Sequence, residues 1–235
     1  MKITSTSNPL IKDICLLHKN SYRKQRCEFL VQGNDFIEPA RRNNVAKIIF
    51  SIEEKDYGIP LQLVSKEVLN KISLYENSLE PVILCSFLKK SEIQGKKLVL
   101  LDGVQDPGNV GTIIRSALAF SYDGVILANN CASLYSQKVL SASKGAVFDI
   151  PVFEGVSFSE LKRLGYEIIV TSLEKAVDYK TIKTDKPFAV VFGSEGQGVS
   201  KDAISQADKI VKISIDAIDS LNVAVAAGII LERYR

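Results

Sequence analysis

Three stretches in the second half of this 235-residue chain carry residues whose types and spacing could do chemistry. The first is LDGVQDPGNVGTIIRSALAF, residues 101–120. Asp106-Pro107-Gly108-Asn109 puts proline and glycine where a type II turn takes them, which sets Asn109 at the start of a helix. That helix should bury Ile113, Ile114, Ala117 and Leu118 and turn Arg115 to a different face. Helical side chains lean toward the N-terminus, so the Arg115 guanidinium can reach back to the mouth of the loop at Asn109. On spacing alone the plainer reading is a capping asparagine and a solvated surface arginine.

The second stretch, VVFGSEGQGVS (190–200), is a strand running into Gly193-Ser194-Glu195-Gly196-Gln197-Gly198. Glycines let backbone approach a ligand closely and permit positive φ. The order is neither G-x-G-x-x-G nor a Walker A loop, which disfavours a dinucleotide site. Glu195 is also a poor neighbour for phosphates, so a ligand with positive charge and no phosphate fits better. A glycine-rich turn with a solvated glutamate is the bland alternative. The third stretch is VKISIDAIDSLNVAVAAGIILERYR (211–235). Asp219 or Ser220 can cap its helix, and from Leu221 to Leu231 the only polar side chain is Asn222. Such a helix is expected to be buried on nearly every side, in its own domain or against a second subunit. Asn222 in that setting needs hydrogen-bond partners, though these could simply tie down a loop.

The elements that would position these loops alternate regularly. Strands are expected at KLVLLDGV, DGVILAN, EIIVTSL, FAVVFGS and KIVKISI, with helices near 110–120, 134–143, 157–165 and 200–206 and a last one from about Ser220. Nearly continuous apolar strands separated by helices imply a parallel sheet covered on both faces. Ligands of such sheets bind in loops at the carboxyl ends of the strands, where the three stretches fall. The first half is less regular. Asn8 can cap a helix whose first turn takes Pro9 and whose face is Leu10, Ile14 and Leu17. Short strands follow at EFLV (28–31), VAKIIF (45–50), LQLV (61–64) and VILCSF (82–87), with a Ser65-capped helix before the last. Pro39 sits awkwardly in what would be a further helix. The polar stretch 88–97 reads as a linker, so the expected domains are 1–90, a small α/β unit, and 97–235, a parallel α/β domain.

The net charge of +3 is unevenly spread. Residues 1–97 hold 16 Lys and Arg against 11 Asp and Glu, or +5, and residues 98–235 hold 14 against 16, or −2. The densest basic stretch contains Lys12, Lys19, Arg23, Lys24 and Arg26. Such an asymmetry suggests an anionic partner for the first half. Four scattered cysteines and one histidine, His18, give no zinc spacing and no disulfide framework, so no metal is expected. No apolar run is long enough to span a bilayer, and the N-terminus lacks a signal-peptide pattern; a cytoplasmic location is expected.

Together, D-x-V-x-D-P-x-N-V-G-x-x-x-R, G-x-E-G-x-G and S-L-N-V-A-V-A, with Ser143-x-Gly145-Ala146 before a strand near Pro151, resemble the SpoU (TrmH) family of RNA 2′-O-ribose methyltransferases, within the SPOUT superfamily. The likeness covers 98–235. N-P-L-I-K and F-L-V-x-G in the first part resemble the family's substrate-binding domain more loosely. The resemblance implies a SPOUT domain with a deep trefoil knot, an exception to the rule against threading, preceded by an L30-like substrate-binding domain. It also implies S-adenosylmethionine as cofactor and a homodimer joined through the C-terminal domain. Cofactor contacts then fall on Gly193, Ile213, Leu221 and Thr171. The catalytic set is Arg115, Asn109, Glu195, Ser220 and Asn222, with Arg115 also holding RNA; the basic stretch, from its charge, adds Arg23, Lys24 and Arg26 as expected RNA contacts. Arginine stays protonated, so Arg115 is read mainly as the group that holds the phosphate and ribose of the target. The expected substrate is ribosomal RNA ahead of transfer RNA. Base methylation, tRNA 2′-O-methylation or a silent RNA-binding assembly factor are the rival functions. The chain departs from the family at Ile213-Ser214-Ile215, where isoleucine-proline-methionine is common, and the loop after it lacks glycine.

Overall fold

The computed structural model describes residues 1–89 and 91–235; Lys90, in the expected linker, lies outside the described residues. The chain falls into two compact units. The first is Met1–Lys89 together with Tyr135–Leu140, and the rest of the described chain forms the second.

In the first unit, α1 (Pro9–Leu16) starts at Asn8, whose side chain accepts the Leu10 N–H at 2.9 Å. Its buried residues are Ile11 and Ile14, continued by Leu17, whereas Leu10 is 38% exposed. Leu10 stands about 100° around the helix from Ile11, so the expected face is rotated by one residue. The basic stretch then forms a helix of its own, α2 (Asn20–Arg26), ending at Cys27 with a left-handed φ of 51°. After β1 (Glu28–Gln32), α3 (Ile37–Arg42) tolerates Pro39 as its third residue. A first-turn N–H has no intrahelical partner to lose. Strands β2 (Ala46–Ser51) and β3 (Leu61–Leu63) precede α4 (Lys66–Ile72), capped by the Ser65 hydroxyl, and β4 (Val82–Ser86). The sheet order is β1-β4-β2-β3, with β4 antiparallel to both neighbours and β2 parallel to β3. Ile11, Ile14, Leu30, Phe50, Val68 and Leu69 form its core. The Tyr135 ring stacks on Phe87 with centroids 4.0 Å apart, an aromatic anchor that brings the start of a later helix into this unit.

The second unit begins with β5 (Lys97–Asp102) and α5 (Pro107–Ala119). The expected type II turn does not form: Pro107 opens the helix directly, the position where its fixed φ and missing N–H suit it. Asp106, not Asn109, is the cap, accepting the Asn109 N–H at 2.8 Å. Next come β6 (Gly124–Leu127), α6 (Gln137–Ser143), β7 (Val152–Glu154), α7 (Phe158–Arg163), β8 (Glu167–Thr171) and β9 (Val177–Asp178). The chain closes with β10 (Phe188–Gly193), α8 (Lys201–Gln206), β11 (Lys209–Lys212) and α9 (Val223–Arg233). All seven strands are parallel, in the order β7-β6-β5-β10-β8-β11-β9. The direction of winding reverses beside β5, the kind of point at which open α/β sheets bind ligands. The two-residue edge strand β9 is too short for a periodic signal.

Helix α9 departs from expectation at its cap. Asn222 is its cap, accepting from Ala224 and Val225, and neither Asp219 nor Ser220 plays that part. Within the single chain Ala224, Ala227 and Leu231 are buried, whereas Val225 is 53% exposed and Gly228 and Ile229 are half-buried. Among the described residues no helix is long and apolar enough to cross a membrane.

Candidate functional site

A cleft of about 770 Å³ opens at the carboxyl ends of β8, β10 and β11. Its position follows from the sheet, because each of these strands delivers its last residue and the following loop to the same edge. Thr171, Gly193, Glu195, Ile213, Ser220, Leu221 and Asn222, named above from sequence, all line it. They span Thr171 to Asn222 in the chain and meet only because β10 is inserted between β5 and β8 and β11 lies on the far side of β8.

The second loop is built on its glycines, and one works differently from the sequence expectation. Gly193 ends β10 fully buried, and a Cβ there would strike the backbone of Gly198 and Val199. Its missing side chain admits the loop's own return strand rather than a ligand. That return is a tight hairpin. Ser194 and Gly198 exchange backbone hydrogen bonds of 2.9 and 3.0 Å, with Gly198 at φ 69°. The turn lifts Glu195 to the cleft's mouth.

There Glu195 accepts a 2.8 Å hydrogen bond from the Asn109 side-chain amide, and the Asn109 carbonyl oxygen accepts at 3.1 Å from Asn222. These bonds join positions 86 and 113 residues apart. Asn222 completes the line by capping α9, so its amide orientation is set: the oxygen faces the helix N–H groups and the nitrogen faces Asn109. Asn109 is thereby oriented, and it presents its own donor to the carboxylate. Three loops are locked by one string of side chains.

Arg115 lies six residues along α5 from Asn109, about 9 Å by helical rise. It is exposed, is absent from the cleft wall and makes no hydrogen bond or ion pair among the described residues. Thr171 contributes its backbone strand end, while its hydroxyl donates to the Val191 carbonyl at 2.8 Å.

The basic residues expected to hold RNA belong to the first unit, and they differ among themselves. Arg23 is 8% exposed; its guanidinium donates to the Leu17 and His18 carbonyls at 2.9 and 3.0 Å and has no face to offer a phosphate. Arg26 is paired with Asp13 and Glu28. Lys24 alone of the three is exposed with its ammonium unpartnered among the described residues.

Sequence reasoning missed part of the cleft wall. Asn222, Ala226 and Ile230 share one face of α9 at four-residue spacing, and all three line the cleft. The spacing was readable once Asn222 was suspected. Ile204 on α8, Lys212 and Lys175 also line it and carry no local signal. Among the described residues no group of three or more His, Cys, Asp or Glu could hold a metal ion.

A seven-stranded parallel α/β domain with a ligand-sized cleft at the carboxyl ends of β8, β10 and β11, its rim tied to α5 through the Asn109 side chain, is the architecture of a small-molecule-binding α/β domain. The family model described as the SpoU rRNA Methylase family matches residues 96–232, and the chain belongs to that family. A 23S rRNA (guanosine(2553)-2′-O)-methyltransferase, RlmP, of Bacillus subtilis is 30% identical over the whole of this chain and 99% of its own length. Among solved structures, an rRNA methyltransferase from Sinorhizobium meliloti superposes with a TM-score of 0.91 at 29% identity, covering 99% of this chain and 96% of the other. An AdoMet-bound rRNA methyltransferase from the same organism matches with TM-score 0.91 at 28% identity and the same coverage.

Proposed function

We propose that this chain transfers the methyl group of S-adenosylmethionine to a ribose 2′-hydroxyl of RNA, with ribosomal RNA as the substrate class. The observation that carries the reading is the string Glu195–Asn109–Asn222, which fixes three family motifs around one cleft. The cleft suits this cofactor. Its volume lies within the roughly 300–1,000 Å³ typical of small-molecule sites. Ile204, Ile213, Leu221 and Ile230 offer apolar walls for a purine, and Glu195 brings negative charge without any phosphate-cradling loop.

When bound, S-adenosylmethionine supplies an electrophilic methyl group on a positively charged sulfur. The chain's residues then have to position and orient. Thr171, Gly193, Ile213 and Leu221 are assigned to the cofactor, by backbone and apolar contact. Asn109 and Asn222 hold Glu195 in place, and a group held to within an ångström can matter a hundredfold in rate. Ser220 stands on the same rim. Arg115 is assigned to the RNA: an exposed, unpaired guanidinium can take a phosphate and ribose in bidentate fashion, and it remains protonated, so it steers rather than accepts the proton.

The first unit is assigned to RNA affinity through its excess of positive charge, with Lys24 as a contact. We extend the family's architecture to the rest: a trefoil knot in the second unit, cytoplasmic location, and a homodimer in which a second copy covers the apolar outer face of α9 at Val225, Gly228 and Ile229. The test is transfer from methyl-labelled S-adenosylmethionine to ribosomal RNA. Label should appear in nuclease-resistant dinucleotides, the mark of 2′-O-methylation. Label in mononucleotides would move the reaction to a base, and no incorporation into any RNA would defeat the reading. Arg115→Ala should lower turnover at least about a hundredfold while leaving cofactor affinity within a few-fold; near-normal turnover would remove the arginine from the mechanism.

A further inference from the structure

The rim of the cleft formed by residues 213–222 is tied by side-chain hydrogen bonds near both ends. Its far end is fixed by Asn222. Its middle, Asp216–Ser220, is exposed, and Ala217 takes a left-handed φ of 64° without being glycine. At the near end the Ser214 hydroxyl donates to Asp178 Oδ2 at 3.0 Å, the one side-chain hydrogen bond that residues 213–221 make among the described residues.

Asp178 is well placed to act as a post. It sits in β9, in register with Lys212 of β11, two residues before Ser214. Its second oxygen, Oδ1, accepts the Lys180 N–H at 2.9 Å. The following segment is tied to α9, where the Tyr234 hydroxyl donates to the Tyr179 carbonyl at 2.7 Å and Arg233 donates to the Lys180 carbonyl at 3.3 Å. Backbone and side-chain donors together hold the Asp178 carboxyl below the usual carboxylate range, the Lys180 N–H first and Ser214 second. The acceptor is therefore charged at neutral pH.

Ile213 and Ile215 both line the cleft, and Ser214 between them reaches the other way to Asp178. Anchoring Ser214 outward therefore aims both isoleucines inward.

We propose that Asp178 is a positioning residue for the cofactor cleft, acting through Ser214 to preset the Ile213–Ile215 wall before the ligand arrives. The inference rests on the cleft being the S-adenosylmethionine site. Without the clamp, the bound rim has to be ordered at the moment of binding, and that ordering is subtracted from affinity. The effect should thus fall on cofactor binding and spare the chemical step.

The experiment is calorimetric titration of the full chain with S-adenosylmethionine, alongside thermal unfolding and steady-state kinetics. Ser214→Ala, which leaves the Lys180 contact of Asp178 intact, should weaken cofactor binding about three- to tenfold. KM for the cofactor should rise in parallel, with kcat at saturating cofactor and the unfolding midpoint nearly unchanged. Ser214→Thr, which keeps the hydroxyl, should restore the affinity. Asp178→Ala should weaken binding by at least as much, and the double variant should be no worse than Asp178→Ala alone. Wild-type binding by Ser214→Ala would overturn the inference alone, as would a lowered midpoint with unchanged affinity. Failure of the wild-type chain to bind the cofactor would overturn both the inference and the reading beneath it.

Discussion

Arg23→Ala removes a guanidinium that is 8% exposed and holds two carbonyls at the end of α1. Those carbonyls lie past the last helical N–H, so Arg23 is what satisfies them. A hydrogen bond from a charged donor contributes about 1.5–3 kcal/mol, and a buried acceptor left alone costs about 1–3 kcal/mol. Two effects soften the loss. His18 is exposed, so water can reach its carbonyl once the side chain is gone. Burial also lowers the arginine's pKa, a sign of a desolvation cost that alanine escapes. Its Nε, buried with no hydrogen-bond partner, points the same way. The net expectation is a loss of about 2–3 kcal/mol of stability. In a chain of this length each kcal/mol moves the midpoint by about 2–4 °C, so the unfolding midpoint should fall by roughly 5–10 °C. Lys24→Ala is the matched control, because it removes the same charge from an exposed site. It should leave the midpoint within about 2 °C and weaken RNA binding in a salt-dependent manner. Thermal unfolding followed by circular dichroism, with RNA affinities measured well below both midpoints, separates the two roles. An unchanged midpoint for Arg23→Ala, or an RNA defect in the folded variant larger than that of Lys24→Ala, would refute the reasoning.

Gly193→Ala would place a methyl less than 3.0 Å from the Gly198 and Val199 backbone, so the hairpin must open and carry Glu195 off Asn109. Turnover should drop at least about tenfold in a folded protein; normal activity would show that the hairpin does not aim Glu195. Val225→Glu puts a charge on the outer face of α9 without disturbing the single chain, because Val225 is 53% exposed. Sedimentation equilibrium should show a dimer for the wild type and a monomer for the variant, and a fully active wild-type monomer would end the dimer proposal. Burial pushes the Tyr234 phenol up to about 12, while in the unfolded chain it titrates near 10. The folded state binds that proton more tightly, so the stability it contributes is complete below pH 10 and is lost as pH rises toward 12. Tyr234→Phe should be less stable at neutral pH, having lost its bond to Tyr179, yet show a shallower fall between pH 10 and 12. An identical alkaline slope would contradict this.

Much of the fold was legible because its determinants are local. Asn8 and Ser65 bond the N–H groups of the helices they begin, as their positions before apolar runs suggested. The buried strands of the parallel sheet were readable as unbroken apolar runs. Where the local reading failed, a neighbour distant in sequence or an accidental alternative had won. Asp106 took the capping place that Asn109 could have filled, and this freed the Asn109 side chain to bridge Glu195 and Asn222. Asn222 caps α9 in place of Asp219 or Ser220, and its nitrogen donates to Asn109. The basic stretch 19–26 read as a single set of contacts for an anionic partner, yet it folds into a helix that buries Arg23, pairs Arg26 and leaves Lys24 exposed and unpaired among the described residues.

The sequence by itself determined which residue types stand at which loop, and motif order with spacing is a one-dimensional property. That is why Asn109, Glu195 and Asn222 could be singled out together before any geometry was known. It also determined the parallel α/β class, because strand burial and helix periodicity are written into composition along the chain. Tertiary structure alone decided what each of those residues does to the others. Strand order brought the loops after β8, β10 and β11 to one edge. The return of residues 198–199 over Gly193 made its missing side chain a packing requirement. The pairing of β9 with β11 set Asp178 beside Ser214 across 36 residues of chain. The physical reason is that a hydrogen bond or a steric contact depends on distances of a few ångströms. Two residues far apart in a sequence acquire such distances only when the whole sheet has formed between them.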